Sequence, residues 1–155
     1  MSVLLHGYQL RALNYGQQVI ASAKTFPQTA TATLFTVATG NVLVTSFFGI
    51  LTTATTTDPQ ITLGTAATGC TAATSGLATT TAITSKEVGC WLGVLPASGK
   101  AGALVVGATG SAVLFSQTAF VVAPGTITIT TAASQGGAAS WYLTYVSLDN
   151  GASVS

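Results

Sequence analysis

The sequence predicts an all-β fold: an antiparallel β-sandwich, jelly-roll-like, preceded by an N-terminal arm. Three observations carry this. From Gln28 onward threonine, valine, isoleucine and aromatic residues dominate, and these side chains suit a pleated surface. They fall in short runs punctuated by Gly, Pro, Asn and Asp, the spacing of a sandwich or barrel. Helical periodicity is absent except weakly between Leu10 and Ala21. At 155 residues the chain suits one domain with a sizeable core.

The elements follow in order. Residues 1–26 stand apart as an arm or first strand, and residues 27–155 form the sandwich. The first segment is poor in threonine and holds His6, Tyr8, Arg11, Asn14 and Tyr15. Pro27 then biases Phe26 towards extended geometry. Residues 31–37 read as a strand, and Thr39-Gly40-Asn41 as a turn. Residues 42–53 carry apolar side chains on both faces, as in a strand covered on two sides. Asp58-Pro59 ends that run. A short strand over residues 60–64 places Ile61 and Leu63 on one face.

Residues 65–84 are almost wholly Thr, Ala, Gly and Ser, which predicts a loop or thin edge strand. Val88, Cys90, Leu92 and Val94 then alternate with Gly89, Trp91 and Gly93. Turns are expected over residues 96–102 and 108–111, around the short apolar run 104–106, and a long apolar run covers residues 112–122 before Pro124-Gly125. Thr126-Ile-Thr-Ile-Thr is the cleanest alternation, with Ile127 and Ile129 inward. Gln135-Gly136-Gly137 reads as a hairpin turn. Residues 140–148 form the last expected strand, with Trp141, Leu143 and Tyr145 on one face, and Asp149-Asn150-Gly151 closes it.

Charge is scarce. Arg11, Lys24, Asp58, Lys86, Glu87, Lys100 and Asp149 are the charged residues, 5% of the chain against roughly 25% in an ordinary soluble domain. A net charge of +1 without clustered cations argues against a nucleic-acid partner. Mean hydropathy is +0.62, yet no run approaches the roughly 20 apolar residues of a spanning helix. The lipid-facing alternation and aromatic girdles of a membrane barrel are missing too, so no membrane partner is expected. The first residues lack the basic and apolar regions of a signal peptide, so synthesis in a cytoplasm without export by that route is expected.

Constellations for chemistry are equally scarce. His6 is the one histidine and lies near the chain start, far from any acid that could complete a triad. Asp58, Glu87 and Asp149 each suit a turn or surface role better than a carboxylate pair. Cys70, Cys90 and His6 do not match zinc spacing, and Gly136-Gly137 lacks the lysine and helix of a phosphate loop. Cys90 reads as a small buried apolar residue. Trp91, Trp141, Tyr142 and Tyr145 could stack on a sugar, although aromatics on strands more often fill a core. The expectation is a non-enzyme with no catalytic residue, cofactor or metal. A near-neutral surface favours association, so a structural subunit is expected.

The stretch from Leu34 to Thr53, Leu-Phe-Thr-Val-Ala-Thr-Gly-Asn-Val-Leu-Val-Thr-Ser-Phe-Phe-Gly-Ile-Leu-Thr-Thr, resembles a segment of small virion proteins of tailed bacteriophages, LFTV-x-x-G-x-VLVT-x-x-x-G-x-(V/L)TT. Gly125-Thr-Ile-Thr-Ile-Thr, Trp141-Tyr-Leu-Thr-Tyr, Leu148 and Gly151-Ala-Ser-Val are similar to the end of the same proteins. Where those proteins carry Gly-Gly before the VLVT run, this chain has Gly40-Asn41. The resemblance covers about a third of the chain. It implies a head decoration, or cement, protein of the capsid surface. Its partners would be the major capsid protein and itself, as a homotrimer. The contacts are then expected in the arm, at His6, Tyr8, Arg11 and Tyr15. The alternatives are a tail or fibre-attached virion module and a carbohydrate-binding sandwich using Trp91, Trp141 and Tyr145.

Overall fold

The structure, a computed structural model, describes residues 6–55, 60–97, 100–107, 119–132 and 136–155. The expected turns at Asp58-Pro59 and residues 108–111, and most of the 112–122 run, lie outside them. One helix, α1 (Gly7–Tyr15), precedes the strands β1 (Gln17–Thr25), β2 (Thr31–Ala38), β3 (Val42–Thr53), β4 (Gln60–Ala67), β5 (Ala73–Ala82), β6 (Trp91–Ala97), β7 (Lys100–Val106), β8 (Phe120–Val122), β9 (Gly125–Thr131), β10 (Ala138–Ser147) and β11 (Ser153–Val154).

The fold is an all-β sandwich. One layer has the order β1-β10-β3-β8, and β6 continues it alongside β3. The other has the order β5-β4-β9-β2, with β11 on the edge of β2. Successive strands pass back and forth between the layers, β1 in the first, β2 in the second, β3 in the first, β4 and β5 in the second. Strands β8, β9 and β10 repeat the alternation on the return. That nesting is the order of a jelly roll. The β6–β7 hairpin is inserted into it and ties the two layers: β6 pairs with β3, and β7 pairs with β5. The β5·β7 pairing is parallel, the exception to an otherwise antiparallel set.

Packing follows the alternation. Phe35 of β2 meets Phe47 of β3 edge-on across the layers, with ring centroids 6.2 Å apart. Phe47 leans on Trp141 at 5.5 Å. Ile61, Leu63, Ile127 and Ile129 from the second layer and Val44, Leu51, Trp141 and Leu143 from the first complete the buried set. Each such side chain stabilises the fold by about 2 kcal/mol on burial. Trp141 fits because its partner across β3 is Gly49: a Cβ there would stand 2.9 Å from Trp141 Cε3.

Several expectations are revised. The described residues 6–26 form neither one arm nor one strand. Residues 7–15 are helical, since Gln9, Leu10, Arg11, Ala12 and Leu13 are good helix formers in one short stretch. The helix ends at Gly16, whose φ of 91° lies in the left-handed region. A Cβ there would stand 2.5 Å from the Tyr145 carbonyl oxygen, so only glycine allows this approach. β1 then pairs with β10 and belongs to the sandwich. The Thr/Ala/Gly/Ser stretch is mostly strand, as the end of β4 and all of β5. Residues 88–90 lie in a turn, and β6 begins at Trp91, although Cys90 is buried as expected. Gly136-Gly137 is not a hairpin turn: β9 pairs with β2 and β4, and β10 with β1 and β3, so this connection crosses between layers. A short β11 follows the expected last strand.

Candidate interaction surface

Among the described residues no three of His, Cys, Asp and Glu gather as a metal site would require. Four charged residues sit at the ends of the sandwich, while Arg11 lies in α1 and Lys100 begins β7. Lys24 lies at the end of β1, Lys86 and Glu87 in the β5–β6 connection, and Asp149 in the β10–β11 turn. Asp149 is a structural group: its Oδ2 accepts from the Asn41 backbone N–H at 2.7 Å and from Asn41 Nδ2 at 2.9 Å. These bonds pin the β2–β3 turn to the β10–β11 turn. Cys70 is exposed and Cys90 buried, and no disulfide joins them. No described helix is long and apolar enough to cross a membrane.

The four arm residues are placed as follows. His6 is exposed just before α1. Tyr8 and Arg11 lie within α1. Tyr15 ends the helix and is 72% exposed. Its carbonyl oxygen accepts from Thr45 Oγ1 at 3.4 Å, which ties the end of α1 to β3. Of the four aromatics of the expected platform, Tyr142 alone is half-buried. Trp141, Tyr145 and Trp91 are all buried, so they offer no ring face to a sugar.

Among the described side chains the two outer faces of the sandwich carry no charge, and they differ in kind. On the β2-β9-β4 side, hydroxyls run in rows across the strands: Thr31–Thr130–Thr62, then Thr33–Thr128 beside Gly64, then Thr36–Thr126 beside Ala66. The Thr31 and Thr130 hydroxyls bond each other at 2.7 Å, and Thr62 Oγ1 donates to the Thr130 carbonyl at 3.3 Å.

On the β1-β10-β3-β8 side the outward positions are apolar at both ends. One row is Val146–Leu43–Val121. The next is Gln18–Thr144–Ser46. The third is Ile20–Tyr142–Phe48, beside Gly93 of β6. Phe48 and Tyr142 stack with centroids 5.0 Å apart and planes 11° from parallel. Ile20, Val121 and Val146 are 48%, 59% and 39% exposed. The sequence contains this face as the two-sided apolar pattern of residues 42–53. That pattern does not distinguish a covered second side from a solvent-facing one.

Comparison with family models, with curated proteins and with solved structures matches nothing to this chain.

Proposed function

We propose that this protein is a structural virion subunit, a decoration protein that cements a capsid exterior by bridging major capsid subunits. The observation that carries the reading is the distribution of charge. Among the described side chains both outer faces of the jelly roll are uncharged, and Lys24, Lys86, Glu87 and Asp149 lie at its ends. Such faces associate without the desolvation penalty that buried ions carry. Jelly rolls serve viral shells as well as lectins. The burial of Trp91, Trp141 and Tyr145 weighs against the sugar-binding alternative. The resemblance of residues 34–53 to small phage virion proteins favours the shell.

In this reading the clamp is the segment up to Tyr15, shorter than an arm reaching Thr25, because β1 is committed to β10. His6, Tyr8, Arg11 and Tyr15 remain its contact residues. Many copies, each adding a modest contact, would hold neighbouring shell subunits against internal pressure. The chain also associates with itself, and the resemblance suggests a trimer. The test is to mix purified protein with heads assembled without it and sediment the particles. Stoichiometric co-sedimentation that persists in high salt supports the reading; a chain left wholly in the supernatant refutes it. Attachment to tails but not to heads would favour the tail-module alternative.

A further inference from the structure

We propose that Asn150 is a site of spontaneous covalent modification: its side-chain amide closes on the Gly151 backbone nitrogen, and the product loosens the C-terminal strand β11 from β2. Both residues lie in the turn between β10 and β11, and both are exposed. The Ala152 N–H donates to the Asp149 carbonyl at 3.1 Å, which leaves Asn150 and Gly151 at the tip of the turn. No described residue bonds the Asn150 side chain or the Gly151 N–H. Gly151 has a φ of 81° and no side chain to screen its nitrogen from the neighbouring amide.

The other two asparagines supply the contrast. Asn14 precedes Tyr15 inside α1, where the following N–H belongs to the helical ladder. Asn41 precedes the branched and buried Val42, and its Nδ2 donates to Asp149 Oδ2 at 2.9 Å. Of the three, Asn150 alone joins an uncommitted amide to a glycine neighbour.

The chemistry needs hydroxide and water alone. Hydroxide removes the Gly151 N–H proton, and the nitrogen attacks Asn150 Cγ. The new C–N bond closes a succinimide ring, and Nδ2 takes a proton from water and leaves as ammonia. Water then opens the ring. Cleavage of the bond from Gly151 N to Cγ gives aspartate. Cleavage of its bond to the Asn150 backbone carbonyl carbon gives isoaspartate, whose main chain runs through Cβ and Cγ. Nothing is oxidised or reduced.

Either product sets a carboxylate beside Asp149 and cancels the formal net charge of +1. Isoaspartate also lengthens the turn by a backbone atom, and this turn sets the register of β11. Ala152 and Val154 are buried, and the Ser147 hydroxyl donates to the Ala152 carbonyl at 2.7 Å. Ser155 and Thr36 exchange backbone bonds at 2.7 and 3.0 Å. A longer turn cannot close on Asp149 and keep these contacts aligned, so β11 leaves β2 more often. The modification is independent of the capsid reading.

The experiment incubates the purified, folded chain at neutral and at mildly alkaline pH. Mass spectrometry locates the products, and enzymatic methylation scores isoaspartate. Asn150 should convert in proportion to hydroxide, with Asn14 and Asn41 at least about tenfold slower, because each must first open locally. Gly151→Ala should slow the conversion by about tenfold through its methyl group. Asn150→Ser, which leaves the glycine in place, should abolish it. In the isoaspartate form, separated by charge, amide hydrogen exchange at Thr36 and Ser155 should rise by about tenfold. Asn150→Asp adds the charge without the extra atom and should leave that exchange within about twofold of the unmodified chain. An Asn150 that stays intact at alkaline pH, or that converts no faster than Asn14 and Asn41, overturns the proposal. So does an isoaspartate form whose exchange matches that of the unmodified chain.

Discussion

Thr55 shows how much one side chain can organise in a protein with few charges. It is buried, its hydroxyl donates to the Ile83 carbonyl at 2.6 Å, and the same oxygen accepts from the Lys86 N–H at 2.9 Å. It thereby fixes the β5–β6 connection against the end of β3. Thr55→Val keeps the shape and orphans both backbone groups, so it should cost about 2 kcal/mol, read from the denaturant midpoint. Gly49 is the second such position. Gly49→Ala drives a methyl into the Trp141 ring and should destabilise by about 1–3 kcal/mol. Adding Trp141→Phe should recover part of that loss, because the smaller ring makes room; strictly additive losses would mean that the two residues do not interact. Neither role was legible in the sequence. Thr55 lies in a threonine run where every neighbour looks alike, and the pairing of Gly49 with Trp141 spans more than ninety positions.

Among the elements, the strands with clear alternation were legible. Ile127 and Ile129 are buried in β9, and Trp141, Leu143 and Tyr145 in β10, as their period of two requires. β3 was legible as a strand, while what lies over its second side was not. β5 was harder to read because its strand character comes from its neighbours. It pairs with β4 on one edge and β7 on the other, so backbone hydrogen bonds supply what its small side chains cannot. The β9–β10 connection illustrates another limit. Glycines announce a change of direction, and they do not say which layer the next strand joins. The helix α1 was hidden because nine residues offer barely two and a half turns of periodicity. Its described side-chain tie to the sandwich is the bond from Thr45 to the Tyr15 carbonyl. Removal of residues 1–15 should therefore shift the melting temperature by less than about 5 °C, on the order of 1 kcal/mol. In the decoration reading the same truncation should abolish binding to heads. A truncated chain that still coats heads would move the contact from the arm to the sandwich faces.

For the whole molecule, the scarcity of charge takes on a spatial meaning. Lys24, Lys86, Glu87 and Asp149 sit at strand ends and in turns, and the described side chains of the broad faces are hydroxyl, amide and apolar groups. Contacts built from such faces have little for salt to screen. Affinity for heads should consequently change by less than about threefold from low to high ionic strength; a steep loss would mean that Lys24, Lys86 or Arg11 drives the contact instead. The all-β sandwich class was readable from alternation and turn spacing, whereas the strand order was not. The inserted β6–β7 hairpin was not, because its parallel partner β5 lies in the stretch with the least sequence character. The central claim, that this is a cement for a shell, is tested most directly by imaging heads reconstituted with the purified protein. The account predicts added density on the outer surface, seated over the junctions between capsid subunits. Heads that remain bare at saturating protein, or density confined to the tail, would contradict it.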